Sequence, residues 1–265
     1  MKLRNGLSAA IGAAALLAPL AAAAHFQLVY TPDVNLTKAG DVPVKLIFWH
    51  PFENGHVMDM GEVIDFYAVN RGKKIDLKNT LKQITFEGSE NTATAYDASV
   101  PLKRSGDYVL VAVPSPYYEE SEDIYIQQIA KSYLNLNEVP TDWMEPQGLP
   151  TEIVPLNKPT NIVAGSTFTG RVMADGKPVP GAEIEVEYMA AEPSMDENKP
   201  KDPTASPMPG GALVAVSDDN GYFTFGIPKA GFWGFAALGS GNTKEHEGKE
   251  LSQDAVIWVR AFDVK

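Results

Sequence analysis

The sequence predicts an all-β protein of two β-sandwich domains behind an export signal, and three observations carry that prediction. Beyond residue 24, apolar and polar residues alternate with period two. Gly, Asn, Pro and Ser break the apolar runs at the short spacing of sandwich strands. A stretch holding Pro140, Pro146, Pro150, Pro155 and Pro159 divides the chain. Proline fixes φ and removes a backbone donor, so this stretch reads as an extended connection between domains 25–150 and 151–265. With 265 residues, the chain is long enough for two domains of about 100–150 residues each.

Taken in order, the leader comes first. Lys2 and Arg4 precede the small, apolar run GLSAAIGAAALLAPLAAAA over residues 6–24, and Ala22-Ala23-Ala24 fits the small-x-small cleavage rule. The run is long enough for a membrane anchor, but it is alanine-rich, broken by Pro19 and ends in four alanines. It therefore reads as a signal peptide, 1–24, with no membrane insertion of the chain after cleavage. A lipid anchor at this point would need a Cys, and the chain has none.

Strands are expected at Phe26–Tyr30, within DVPVKLIFWH (41–50), and at Glu62–Val69, Lys82–Phe86, Thr92–Ala98, Asp107–Val113 and Asp123–Tyr133. In DVPVKLIFWH, Val42, Val44, Leu46 and Phe48 share one face, and His50 ends the strand on it. The segment IYIQQIAKSYL lacks Gly and Pro and also suits a short helix; strand is the preferred reading. The second half predicts strands at Phe168–Met173, Glu183–Met189, Leu213–Ser217, Tyr222–Ile227, Phe232–Leu238 and Ala255–Phe262, with Asn220-Gly221 as a hairpin signal. Residues 191–211 hold five prolines and mixed charge, and read as an exposed loop.

Composition excludes several functions. A net charge of −12 argues against nucleic acid as a partner, because such surfaces need clustered positive charge. The absence of Cys removes disulfides, Cys-ligated zinc, iron–sulfur clusters and thiol catalysis. No P-loop, nucleophile elbow, H-E-x-x-H or dinucleotide fingerprint is present, so no enzyme is indicated by motif.

The four histidines are the informative residues. His25 would be the first residue after cleavage, where a free α-amine and an imidazole can chelate a metal together. His50 and His56 bracket the turn HPFENGH, beside Glu53, Met58, Asp59 and Met60, whose roles stay open. His246 sits in the polar loop KEHEGKE. Neutral imidazole is a common ligand for Ni, Co, Cu and Zn. His25, His50, His246 and His56 are therefore the candidate metal ligands. Each also has an ordinary reading, as a frayed terminus, a strand-end donor or a surface loop residue.

The segments AHF, FWHPFENG, YYEESEDIYI, GLPTEIVPLNKP, GKPVPGAEIEVEY, NGYFTFGIPKAGFWGFAAL, HEGKEL and AVIWV, in that order, resemble a bacterial family of periplasmic proteins. The family is catalogued as a domain of unknown function and described as the periplasmic component of energy-coupling-factor nickel/cobalt uptake transporters. The second half, with GKPVPGA and DDNGYF, also resembles transthyretin-like regulatory modules. The resemblance implies immunoglobulin-like or transthyretin-like sandwiches, a periplasmic location, binding of Ni²⁺ or Co²⁺ (Cu or Zn being possible), and an inner-membrane metal transporter as partner. It supports His25, His50 and His246 as ligands. Two other readings remain. One is a copper-dependent oxidative enzyme using the mature N-terminal His, with Tyr117, Tyr118 or Tyr125 axial. The other is a metal-free adhesion or scaffold module.

Overall fold

A computed structural model describes residues 25–207 and 213–264. The predicted signal peptide, 1–24, lies outside the described residues. The described chain is all-β, and its strands stack as three layers.

Among the described residues, the first outer sheet has five strands, in the order Phe26–Tyr30, Gly40–Trp49, Thr92–Leu102, Lys82–Glu87, with Val57–Met58 added against Gly40–Trp49. The other outer sheet has four: Thr151–Pro155, Thr167–Ala174 and Lys177–Pro178 in order, with Tyr222–Gly226 also on Thr167–Ala174. Thr151–Pro155 comes from the proline-rich stretch and holds an edge, where a residue without an N–H costs no ladder bond.

The middle sheet, of twelve strands, is shared by the two halves. Its main path runs Leu213–Val216, Glu183–Tyr188, Gly231–Ala237, Lys249–Phe262, Ile124–Leu136, Gly106–Pro114, Val63–Asn70, Lys73–Asp76. The halves meet where Ile124–Leu136 runs parallel to Lys249–Phe262, from Tyr125↔Leu251 to Lys131↔Ile257.

Both faces of its central strands are covered, and Gly106–Pro114 and the AVIWV stretch of Lys249–Phe262 accordingly read as near-continuous apolar runs. Tyr108, Leu110, Ala112, Val256 and Trp258 face the first core, under the five-stranded sheet. Val109, Val111, Ile257, Val259 and Ala261 face the second, with Phe168, Phe223 and Phe235. Trp233 is also in the second core, and Phe232 is in the first.

Residues 124–136 form a strand, and its polar positions are buried too. Lys131 is 1% exposed and bonds Glu152 at 2.7 Å; Glu152 also accepts the backbone N–H groups of Gln147 and Gly148. The Asn220-Gly221 turn forms, with Asp218 accepting from Asn220 and Tyr222 backbone N–H groups. The strands it joins do not pair as a hairpin. Leu213–Val216 adds to the middle sheet and Tyr222–Gly226 to the outer one, so the turn is a corner between layers. Gly221 has φ +79, and a Cβ there would lie 2.7 Å from the Val172 carbonyl oxygen.

Candidate functional site

The pairing register sets His25 against His50. Strands Phe26–Tyr30 and Gly40–Trp49 are antiparallel with Phe26 opposite Trp49, so the next residue outward on each strand is His25 and His50. Directly opposed side chains stand about 4.5–5.5 Å apart at Cβ. The two imidazole rings are 4.4 Å apart, tilted by 45°. His25 also lies edge-on to Phe48, which meets Tyr117 in the same manner.

The start of the first strand is held firmly. The Gln27 N–H donates to Gln128 Oε1, and Trp258 Nε1 donates to the Gln27 carbonyl, both across to the middle sheet. The loop after His50 is tied down as well. Trp49 Nε1 donates to the Gly55 carbonyl, the Phe52 N–H to Glu187 and the Val57 N–H to Asn91. Glu187 is buried, and burial pushes its carboxyl well up despite the Phe52 N–H.

The pair opens into a cleft of about 500 Å³ lined by His25, His50, His56, Glu53, Glu90 and Tyr117, with Glu119 and Glu122 at its edge. Among the described residues, no Lys or Arg lines it. His50 is buried, His25 partly so, and His56 exposed. Burial first, and His56 second, hold the His25 imidazole down to about 4, so the ring is neutral and able to donate a lone pair across the physiological range. Glu90 was not singled out by the sequence; nothing in its local pattern distinguishes it from other surface acids.

The other predicted ligands are placed differently. His246 packs edge-on to Tyr125, with ring centres 4.7 Å apart. Tyr125 pairs directly with Tyr118, while Tyr117 pairs with Ile126. Successive pairs alternate between faces. His246 therefore lies on the Tyr118–Tyr125 face, and His25 lies on the Tyr117 face opposite. Glu247 accepts from the Tyr125 hydroxyl, and Lys249 pairs with Asp123 there. Met58 and Met60 are buried in the first core, and Asp59 accepts from the Thr94 N–H. Among the described residues, no three His, Asp or Glu side chains are grouped to hold an ion.

A second, smaller cavity of about 180 Å³ adjoins the cleft and shares His25, Glu119 and Glu122 with it. Ile126 and Gln128 on one strand stand directly opposite Ser252 and Asp254 on the next, and Glu185 and Leu238 complete that wall. Glu185 is 3% exposed, and no described group hydrogen-bonds its Oε2. Burial, then Glu183, Asp254 and Glu122, push its carboxyl up to about 8. Asp254 is 1% exposed and is also raised by burial, though the Ser252 hydroxyl, the Gly239 N–H and the Gln128 amide all donate to it.

Sequence reasoning missed this cavity. The signals were present in EIEVEY, whose acids share one strand face, and in the single acid that opens DAVIWV.

No match was found among the curated proteins. Solved structures align over most of the chain at low similarity. An α-2-macroglobulin from Escherichia coli has 9% identity and a TM-score of 0.25, over 91% of this chain and 16% of that one. The N-terminal eight Ig domains of Down Syndrome Cell Adhesion Molecule have 13% identity and a TM-score of 0.22, over 90% and 28%. The CbhA fibronectin(III)-like modules of Clostridium thermocellum have 9% identity and a TM-score of 0.21, over 89% and 95%. The chain thus spans about a sixth and about a quarter of the first two. Among the described residues, no helix is long and apolar enough to cross a membrane. The family profile "Domain of unknown function (DUF4198)" matches residues 22–241, and the chain belongs to that family.

Proposed function

We propose that the protein binds a divalent transition metal, nickel or cobalt, in the His25–His50 cleft outside the cytoplasmic membrane and delivers it to a membrane uptake transporter. The observation that carries this reading is the 4.4 Å approach of the two imidazoles in the lining of an acidic cleft. An imidazole bound at about 2.0–2.1 Å puts its ring centre roughly 3.2 Å from the ion. Two rings on adjacent positions of one square-planar or octahedral ion are then about 4.5 Å apart.

Two imidazoles alone make a weak chelate. The reading therefore includes cleavage after Ala24, which adds the His25 α-amine to the donor set. His56 and Glu53 line the same cleft but are not grouped with the pair closely enough to count as ligands; His246, on the opposite face, is left out. The acidic rim raises the local cation concentration. Copper outcompetes nickel on affinity alone, so copper binding in vitro is expected whatever the cargo. The resemblance of residues 151–265 to transthyretin-like modules belongs to this proposal as a matter of fold.

Titration calorimetry with Ni²⁺, Co²⁺ and Cu²⁺ tests the reading on two forms, one beginning at His25 and one carrying an extra residue ahead of it. The extra residue removes the α-amine from chelation and should weaken binding strongly. Equal affinity removes the terminus from the site, and no binding by either form removes the metal reading.

Tyr117, which lines the same cleft, favours the copper-enzyme alternative. Reductant-dependent oxidation of chitin or cellulose by the copper-loaded protein would select it.

A further inference from the structure

We propose that the smaller cavity beside His25 binds a small organic ammonium ion, with the Glu185 carboxylate as its principal acceptor. The proposal does not depend on the metal reading. It rests on Glu185, which is 3% exposed, lines the cavity, and has an Oε2 that no described group hydrogen-bonds. A buried carboxylate oxygen without a donor is costly unless a partner supplies hydrogen bonds and charge.

The acidic side chains around it favour a cation. His25, Asp254, Glu119 and Glu122 line the same cavity, together with the Ser252 hydroxyl and the Gln128 amide, and among the described residues no Lys or Arg does. Of the two buried carboxylates, Asp254 already accepts from Ser252, Gly239 and Gln128, while Glu185 has an oxygen that no described group hydrogen-bonds. A bare metal ion fits less well. Among the described residues, no three His, Asp or Glu side chains are grouped to chelate one. Ile124, Ile126 and Leu238 form part of the wall, and apolar side chains contribute nothing to coordination. An alkylammonium uses both features, with its three N–H groups toward Glu185 and its short chain against the isoleucines and Leu238.

Calorimetric titration of the purified protein with propylammonium chloride, in phosphate buffer free of competing amines and with EDTA present, tests the site. EDTA strips transition metal, so failure of the metal reading leaves this experiment intact. Saturable one-site binding with a Kd of roughly 1 mM or tighter is expected. Glu185→Gln should weaken it by about tenfold or more, because the amide keeps the shape and loses the charge. Asp254→Asn should weaken it by a smaller factor, and thermal unfolding of each variant shows that it is folded. Absence of saturable binding, or equal binding by Glu185→Gln, overturns the proposal. Binding of Ca²⁺ or Mn²⁺ without EDTA, lost in Glu185→Gln and not matched by propylammonium, overturns it in favour of a hard-metal site.

Discussion

Replacing Glu185 by Gln should stabilise the protein at and above neutral pH when no amine is present. Glu185 is almost fully buried, and its carboxyl is pushed up to about 8 from an ordinary value of 4.5, by burial first and then by Glu183, Asp254 and Glu122. A carboxyl raised by folding contributes stability that is fully present below its unfolded pKa and is lost as pH rises through its folded pKa. Here the loss begins near pH 4.5 and is complete a little above pH 8. At about 1.36 kcal/mol per unit, the whole span is on the order of 5 kcal/mol, of which about 3 is gone by pH 7. Gln removes the titration but leaves a buried amide short of partners, which returns about 1 kcal/mol of the gain. The net expectation is a stabilisation of about 2 kcal/mol at pH 7, or roughly 4–8 °C in Tm for a chain of this size. The gain should grow toward pH 9 and vanish near pH 5. Urea unfolding of the wild type and the variant at pH 5, 7 and 9 measures it. Parallel pH profiles for the two proteins, or a variant less stable at pH 9, would refute the reasoning that Glu185 is an unpaired buried acid.

The remaining predictions concern the His cleft and the contact between the two halves. His50→Ala should weaken Ni²⁺ binding by about tenfold or more, and His246→Ala should leave it within twofold; calorimetry in which His246→Ala carries the loss would move the site to the other face of the sheet. The His25 ring should titrate near 4, because burial and the charge on His56 disfavour its protonated form. Its stability contribution is therefore held above pH 6.5 and lost as pH falls toward 4, and an NMR midpoint near 6.5 would show the ring to be solvated. Lys131→Met leaves Glu152 buried without its cation, and should cost about 3 kcal/mol, the low end for a broken buried pair, since the Gln147 and Gly148 N–H groups still donate to Glu152. The double variant with Glu152→Gln should recover part of that loss in urea unfolding, and strict additivity would show that the pair is not coupled.

Much of the all-β character was legible in the sequence. Alternation in DVPVKLIFWH and short apolar runs between Gly, Pro and Asn are local signals, and a strand's two faces follow from its own residues. The histidines could be singled out as well, because the whole chain has only four, but not which of them meet.

What local pattern could not carry was partnership. His25 meets His50 because Phe26 pairs with Trp49, a register decided by the packing of Phe26 and Trp49 in the first core and by Gln27 bonding to the middle sheet. His246 is turned away by the alternation of Tyr117 and Tyr118, a difference of one residue across a sheet that the sequence does not show to exist. EIEVEY displays an acidic face that looks like a solvated surface. Only the strands and the 50–60 loop brought over it from the other half of the chain bury Glu185 and Glu187. By itself the sequence determined which residues could face a core. The tertiary structure decided what stood opposite them, because strand pairing is non-local and one step of register exchanges every side chain between the two faces of a sheet.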